Sequence, residues 1–185
     1  MKNERIFTVK NIALNGIIAG LYTVITIACG PLSYEFMQFR FSELLNLLVF
    51  FNPSFTVGLT LGCLLANLFS TVGPIDIILG TLTTLVACLA MILYSKFIKN
   101  LFSVGFIPCL FNAIAVPFII VLSTMGTNDA MPLTWGTYFM MFGWIFLGEF
   151  VCIVVIGYPL FLLLTKNNPK FYKLILANRN TDYKW

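Results

Sequence analysis

Four long apolar runs decide what this chain can become. Residues 12–29, 75–94, 101–123 and 138–165 each hold at least 18 residues, and Asp76 and Glu149 are their only formal charges. At a helical rise of about 1.5 Å per residue, 18 residues reach roughly 27 Å, close to the thickness of a bilayer's hydrocarbon core. Hydrophobic residues make up 59% of the chain and charged residues 10%, with a mean hydropathy of +0.95. Too little polar surface is left for a water-soluble fold, so we read one all-α integral membrane domain over residues 1–185. Lys2, Arg5 and Lys10 precede the first run, whose 19-residue length from position 12 to 30 exceeds the core of a secretion signal. That run is expected to stay as the first span.

The basic residues orient the spans. Ten of the eleven Lys and Arg lie before the first run, between the runs that end at 94 and begin at 101, and after residue 165. The positive-inside rule puts all three regions, and both termini, in the cytoplasm. Residues 31–74 must then cross an even number of times. Segments 41–51 and 55–70 are short for spans, at 11 and 16 residues, and are separated by Asn52-Pro53. Two short helices hinged there give six membrane helices, and a re-entrant hairpin is the alternative. Residues 37–41 alternate in polarity like an extended segment, and Ser42 is placed to cap the next helix. Gly73-Pro74 forms a turn that sets Asp76 in a helical first turn. Residues 125–134 read as an irregular outer loop, and residues 166–185 as a basic cytoplasmic tail.

On the outer side Glu35, Glu43, Asp76 and Asp129 face only Arg40, and Glu149 falls near mid-membrane. A carboxyl at that depth requires a polar cavity or a partner. An acidic, partly buried vestibule suits a cation or a donor-rich heterocycle, because a carboxylate accepts two parallel N–H bonds. Trp135, Tyr138 and Trp144 could stack on such a ring or serve as interfacial packing. Small residues at four-residue spacing form two seams, Gly16 with Gly20, and Gly58, Gly62, Ala66 and Ser70, with Asn67 beside the second. Packing within the chain is the default for the longer seam. Cys29, Cys63, Cys88, Cys109 and Cys152 stand singly, and there is no histidine. Neither a disulfide framework nor a metal site is indicated, and no cofactor is implied. The chain has no phosphate-binding loop for ATP and no hydrolase triad motif.

Gln38-Phe39-Arg40-Phe41-Ser42-Glu43, Phe50-Phe51-Asn52-Pro53, Gly58, Gly62 to Asn67 and Gly73-Pro74-Ile75-Asp76, with Gly148-Glu149 and Gly157-Tyr158-Pro159, resemble the pattern of the queuosine precursor transporter family. The resemblance implies a substrate-binding S component of an energy-coupling factor transporter. Such a subunit has six helices, binds its ligand on the outer side and topples to release it. Its partners would be a coupling protein (EcfT) and two ATPases (EcfA and EcfA'). The coupling protein is commonly met through Ala-x-x-x-Ala on the first helix; Gly16 and Gly20 stand in the nearest form here. The implied ligand is a 7-deazaguanine: an aminomethyl precursor, queuine or queuosine. Glu149 would accept from the guanine edge, with Gln38, Arg40, Glu43, Asn67 and Asp76 as outer wall or lid, and Tyr138 and Trp144 as stacking rings. Two other readings stay open, a membrane-embedded enzyme using Glu149 and Glu43 on a lipid or nucleoside, and a stand-alone carrier. The lack of histidine and of metal-ligand motifs weighs against the enzyme.

Overall fold

Where the apolar runs end, prolines and side-chain caps set the helix boundaries. The structure, a computed structural model, describes residues 9–30, 39–125, 132 and 134–176. Gln38, Glu35 and Asp129 lie outside these residues. Four helices are long and apolar enough to cross a membrane: α1 (Val9–Ala28), α4 (Pro74–Phe97), α5 (Leu101–Thr124) and α6 (Trp135–Asn167). Two shorter apolar helices, α2 (Phe41–Phe51) and α3 (Pro53–Asn67), lie between α1 and α4. A seven-residue helix, α7 (Pro169–Ile175), lies within the segment read as a tail. Asn52, Asn100, Thr134 and Asn168 accept from backbone N–H groups at the starts of α3, α5, α6 and α7. Such caps satisfy donors that have no partner within the helix.

Asn52 is the hinge expected from its position before Pro53. Its extended backbone (φ −148°, ψ 107°) ends α2, and its Oδ1 accepts from the Ser54 N–H at 3.0 Å and the Ser54 hydroxyl at 2.8 Å. The helices otherwise depart from the expected limits by a few residues. The run at 12–29 starts at Val9, the run at 138–165 extends over Trp135–Asn167, and the segment at 55–70 becomes Pro53–Asn67. The last shift has a cause in Ser70, whose hydroxyl donates to Asp76 Oδ2 at 2.6 Å beyond the end of α3. Ser42 is not the cap of α2. Arg40 occupies that position without a side-chain cap bond, while Ser42 sits inside the first turn and accepts from the Thr26 hydroxyl at 2.6 Å.

Helix α3 runs parallel to α1 at close range. The Gly58 N–H donates to Asn15 Oδ1 at 2.6 Å, and the Thr23 hydroxyl donates to the Gly62 carbonyl at 3.1 Å. A methyl group on Gly58 would lie 2.5 Å from the Asn15 carbonyl oxygen, and one on Gly62 would lie 2.7 Å from Tyr22 Cβ. The longer small-residue seam therefore packs within the chain. Nothing lies within 4 Å of the corresponding positions on Gly16 and Gly20, so the α1 pair faces outward. Gly58→Ala is expected to cost about 1–3 kcal/mol of stability by overpacking, whereas Gly16→Ala should leave it unchanged. Thermal unfolding of the two variants in detergent checks the contrast.

Two helices depart from α geometry where they meet. Phe41–Leu47 of α2 is wound as a 3₁₀ helix, and Val151–Gly157 of α6 as a π segment. The tighter winding extends reach: at about 2.0 Å per residue, seven 3₁₀ residues advance roughly 14 Å, against about 10 Å for α. The two segments pack so closely that a Cβ on Gly157 would lie 2.9 Å from Leu44 Cβ. Farther along, Phe51 stacks on Phe161 at 6.2 Å and meets Tyr172 of α7 edge-on at 6.3 Å. The α2–α3 tip thus reaches the end of the bundle where α6 passes into α7. Both 41–47 and 151–157 adjoin a buried carboxylate, Glu43 in the first and Glu149 just before the second.

Candidate functional site

The polar residues that the membrane-like exterior excludes are gathered inside, toward the end of the bundle where α1 ends and α2 and α4 begin. Gly73, with φ of +95°, turns the chain into Pro74 and sets Asp76 in the first turn of α4. A carboxylate there is favoured by the free N–H groups of the helix start. Its Oδ2 lies 3.4 Å from Arg40 Nη2, with only 2% and 4% of the two side chains exposed. Asn67 at the end of α3 donates from Nδ2 to the Asp76 carbonyl at 3.1 Å. A Cβ at position 80 would lie 2.9 Å from Asn67 Nδ2, so glycine at 80 admits this contact.

Glu43 lies one turn below Arg40 and is fully buried. Tyr22 of α1 donates its hydroxyl to Oε1 at 2.5 Å, and Asn46 donates Nδ2 to Oε2. Asn46 follows Glu43 by three residues, which brings the two together on a 3₁₀ helix of three residues per turn. Glu149 closes the network from α6. It is 1% exposed, and its Oε1 accepts from Asn112 Nδ2 of α5 at 2.9 Å. Asn112 also interacts with Glu43, Arg40 acts electrostatically on both glutamates, and the glutamates act on each other. One guanidinium therefore serves three buried carboxylates, Glu43, Asp76 and Glu149.

Three buried polar atoms in this network have no hydrogen-bond partner among the described residues: Arg40 Nε, Asn46 Oδ1 and Glu149 Oε2. They comprise one donor and two acceptors. Buried polar groups are overwhelmingly paired in native proteins, so each of the three is an atom at which a polar guest would gain a bond. The excess of carboxylate favours a guest that is cationic or rich in N–H donors.

The family model for the QueT transporter matches residues 12–166. The chain belongs to the QueT transporter family. A relative from Lactococcus lactis subsp. cremoris (strain MG1363), the "Queuosine precursor transporter QueT", is 33% identical over 161 residues, covering 82% of this chain and 93% of the relative. No solved structure matches. This QueT-family chain is thus a multi-pass protein of the bacterial membrane and a transporter rather than an enzyme.

Within this family member the residues singled out from sequence divide into two groups. Arg40, Glu43, Asn67, Asp76 and Glu149 come together in the buried network described above. Tyr138 and Trp144 are joined to it by no hydrogen bond among the described residues. The Tyr138 hydroxyl donates to the Ile114 carbonyl at 3.1 Å and its ring packs on Phe118, while Trp144 is 41% exposed. Both have the placement of packing and surface aromatics. Tyr22, Asn46, Gly80 and Asn112 belong to the network without standing out in the sequence, and Ser70, a seam position by its spacing, joins it through Asp76. Asn46 and Asn112 carried a usable signal, since an amide inside an apolar segment calls for a polar partner in the same way as Glu149.

Proposed function

We propose that this chain is the substrate-binding membrane subunit of an energy-coupling factor importer for a queuosine precursor of the 7-deazaguanine class. The observation that carries the reading is the set of unpartnered buried atoms, Glu149 Oε2, Asn46 Oδ1 and Arg40 Nε, beside an excess of carboxylate. A guanine-type edge offers parallel N–H donors next to a carbonyl acceptor, and an aminomethyl substituent adds positive charge. Both match that set. The name of the Lactococcus relative supports the same ligand class. Arg40, Glu43, Asn67, Asp76 and Glu149 form the site in this reading, with Gln38 a candidate from sequence.

The chain is one integral membrane domain that crosses six times with both termini cytoplasmic. Lys10, Lys96, Lys99, Lys166, Lys170 and Lys173 support that orientation, because they flank helix ends away from the Arg40–Asp76 pair. The 3₁₀ winding of α2 supports two crossings by α2 and α3, since it lengthens a helix otherwise short for a span. The energy comes from two ATPases acting through a coupling protein, for which the outward-facing Gly16 and Gly20 on α1 are the candidate contact. Uptake of a labelled aminomethyl-7-deazaguanine into sealed vesicles tests the division of labour. Accumulation should require ATP and the added partners, and uptake by this chain alone would make it a stand-alone carrier.

A further inference from the structure

Glu43 looks like a ligand contact in the sequence, yet donors from within the chain occupy both of its oxygens, the Tyr22 hydroxyl and Asn46 Nδ2. A carboxylate receiving two hydrogen bonds is an acceptor only, so the Asn46 amide must turn its nitrogen toward Glu43. That turns Asn46 Oδ1 away from Glu43, and this atom is buried without a partner among the described residues. Asn46 is fully buried, and so are Tyr22 and Glu43, which hold it. The lock is made of three residues on two helices: Tyr22 of α1, and on α2 the Glu43 carboxylate and the Asn46 amide one 3₁₀ turn later.

We propose that Asn46 is a specificity-determining residue whose Oδ1 accepts an N–H of the ligand's exocyclic amine, with Glu43 and Tyr22 as positioning residues that fix its orientation. The inference rests on the 7-deazaguanine reading and deepens it. A guanine-type edge carries three N–H groups, one on the ring and two on the amine. A carboxylate takes two of them in parallel, the ring N–H and the nearer amine N–H; Glu149 Oε2 is unpartnered, and Oε1 has a second lone pair beside the one that accepts from Asn112. The second amine N–H is left over, and in a buried site it needs an acceptor of its own. Asn46 Oδ1 supplies that acceptor, and Arg40 Nε is the unpartnered donor available to the ligand's carbonyl. Every hydrogen-bonding group of the edge then has a counterpart, which is how a site rejects analogues that lack one.

The test is calorimetric titration of the purified chain with 7-deazaguanine and with its N2-methyl derivative, which keeps an amine N–H beside the ring N–H when its methyl turns to the other side and so replaces the second amine N–H. The wild type is expected to bind the parent compound about tenfold or more tightly than the derivative, as befits one buried hydrogen bond. Asn46→Ala should weaken parent binding by about tenfold and bring the ratio close to one. Glu43→Gln is the second variant. Its amide can donate to Asn46, so the Asn46 amide reverses, and the ratio should again approach one with Asn46 still in place. A wild-type protein that binds both compounds equally, or a ratio unchanged in both variants, overturns the assignment of Asn46 and leaves the 7-deazaguanine reading intact. A wild-type protein that binds neither compound overturns both.

Discussion

Arg40→Met is expected to destabilise the protein by about 3–5 kcal/mol, the cost of leaving a buried charge without its partner. Among the described residues, Asp76 Oδ2 would keep the Ser70 hydroxyl alone, and Glu43 and Glu149 would lose a positive charge that acts on both. Methionine keeps the length and apolar body of the arginine stem, so the loss reports charge rather than a cavity. Asp76→Asn in the Arg40→Met background should recover part of the stability, because two mutually dependent charges are then removed together. Unfolding in detergent of the two single variants and the double variant measures the coupling. If Arg40→Met unfolds at the wild-type midpoint, the guanidinium does not hold the acidic cluster together.

Glu149→Gln is expected to weaken binding of a 7-deazaguanine by about 150-fold or more, since hydrogen bonds to a charged group contribute roughly 1.5–3 kcal/mol and two are at stake. Glutamine is nearly isosteric. Its oxygen can keep the bond from Asn112 Nδ2, which in the wild type is made to Oε1 at 2.9 Å. Its amide nitrogen then occupies the position of the unpartnered Oε2 and presents a donor to the ligand's donors. Stability should hold or rise, because a charge buried at 1% exposure is removed while the Asn112 contact remains. Calorimetry and thermal unfolding on the same preparation separate the two effects. Loss of folding without ligand would mean that Glu149 serves structure first.

The crossing helices were legible because long apolar runs and basic flanks leave few alternatives. Proline and asparagine marked the breaks, and Asn52-Pro53 hinges α2 against α3 as its composition foretells. The winding of 41–47 and 151–157 was not legible, since it comes from packing between two segments distant in sequence and no propensity encodes it. The buried polar network was legible in its charges. Arg40, Glu43, Asp76 and Glu149 stand out against an apolar background, and the structure gathers them. Their neutral partners stayed hidden because Tyr22, Asn46 and Asn112 are common residues whose role depends on what faces them. The aromatic rings stand apart from the buried network. Tyr138 and Trp144 are conspicuous in any sequence, yet one bonds the Ile114 carbonyl and the other lies on the surface.

The central claim is that Glu149 reads a guanine-type donor edge, and a two-ligand, two-protein titration tests it most directly. Wild type and Glu149→Gln are each titrated with 7-deazaguanine and 7-deazaadenine, which share a ring system but differ in the donors along that edge. A site built on such hydrogen bonds should favour the guanine form in the wild type by about 100-fold or more, and Glu149→Gln should lose most of that preference. Equal binding of both ligands by the wild type, or a preference that survives in Glu149→Gln, would contradict the account.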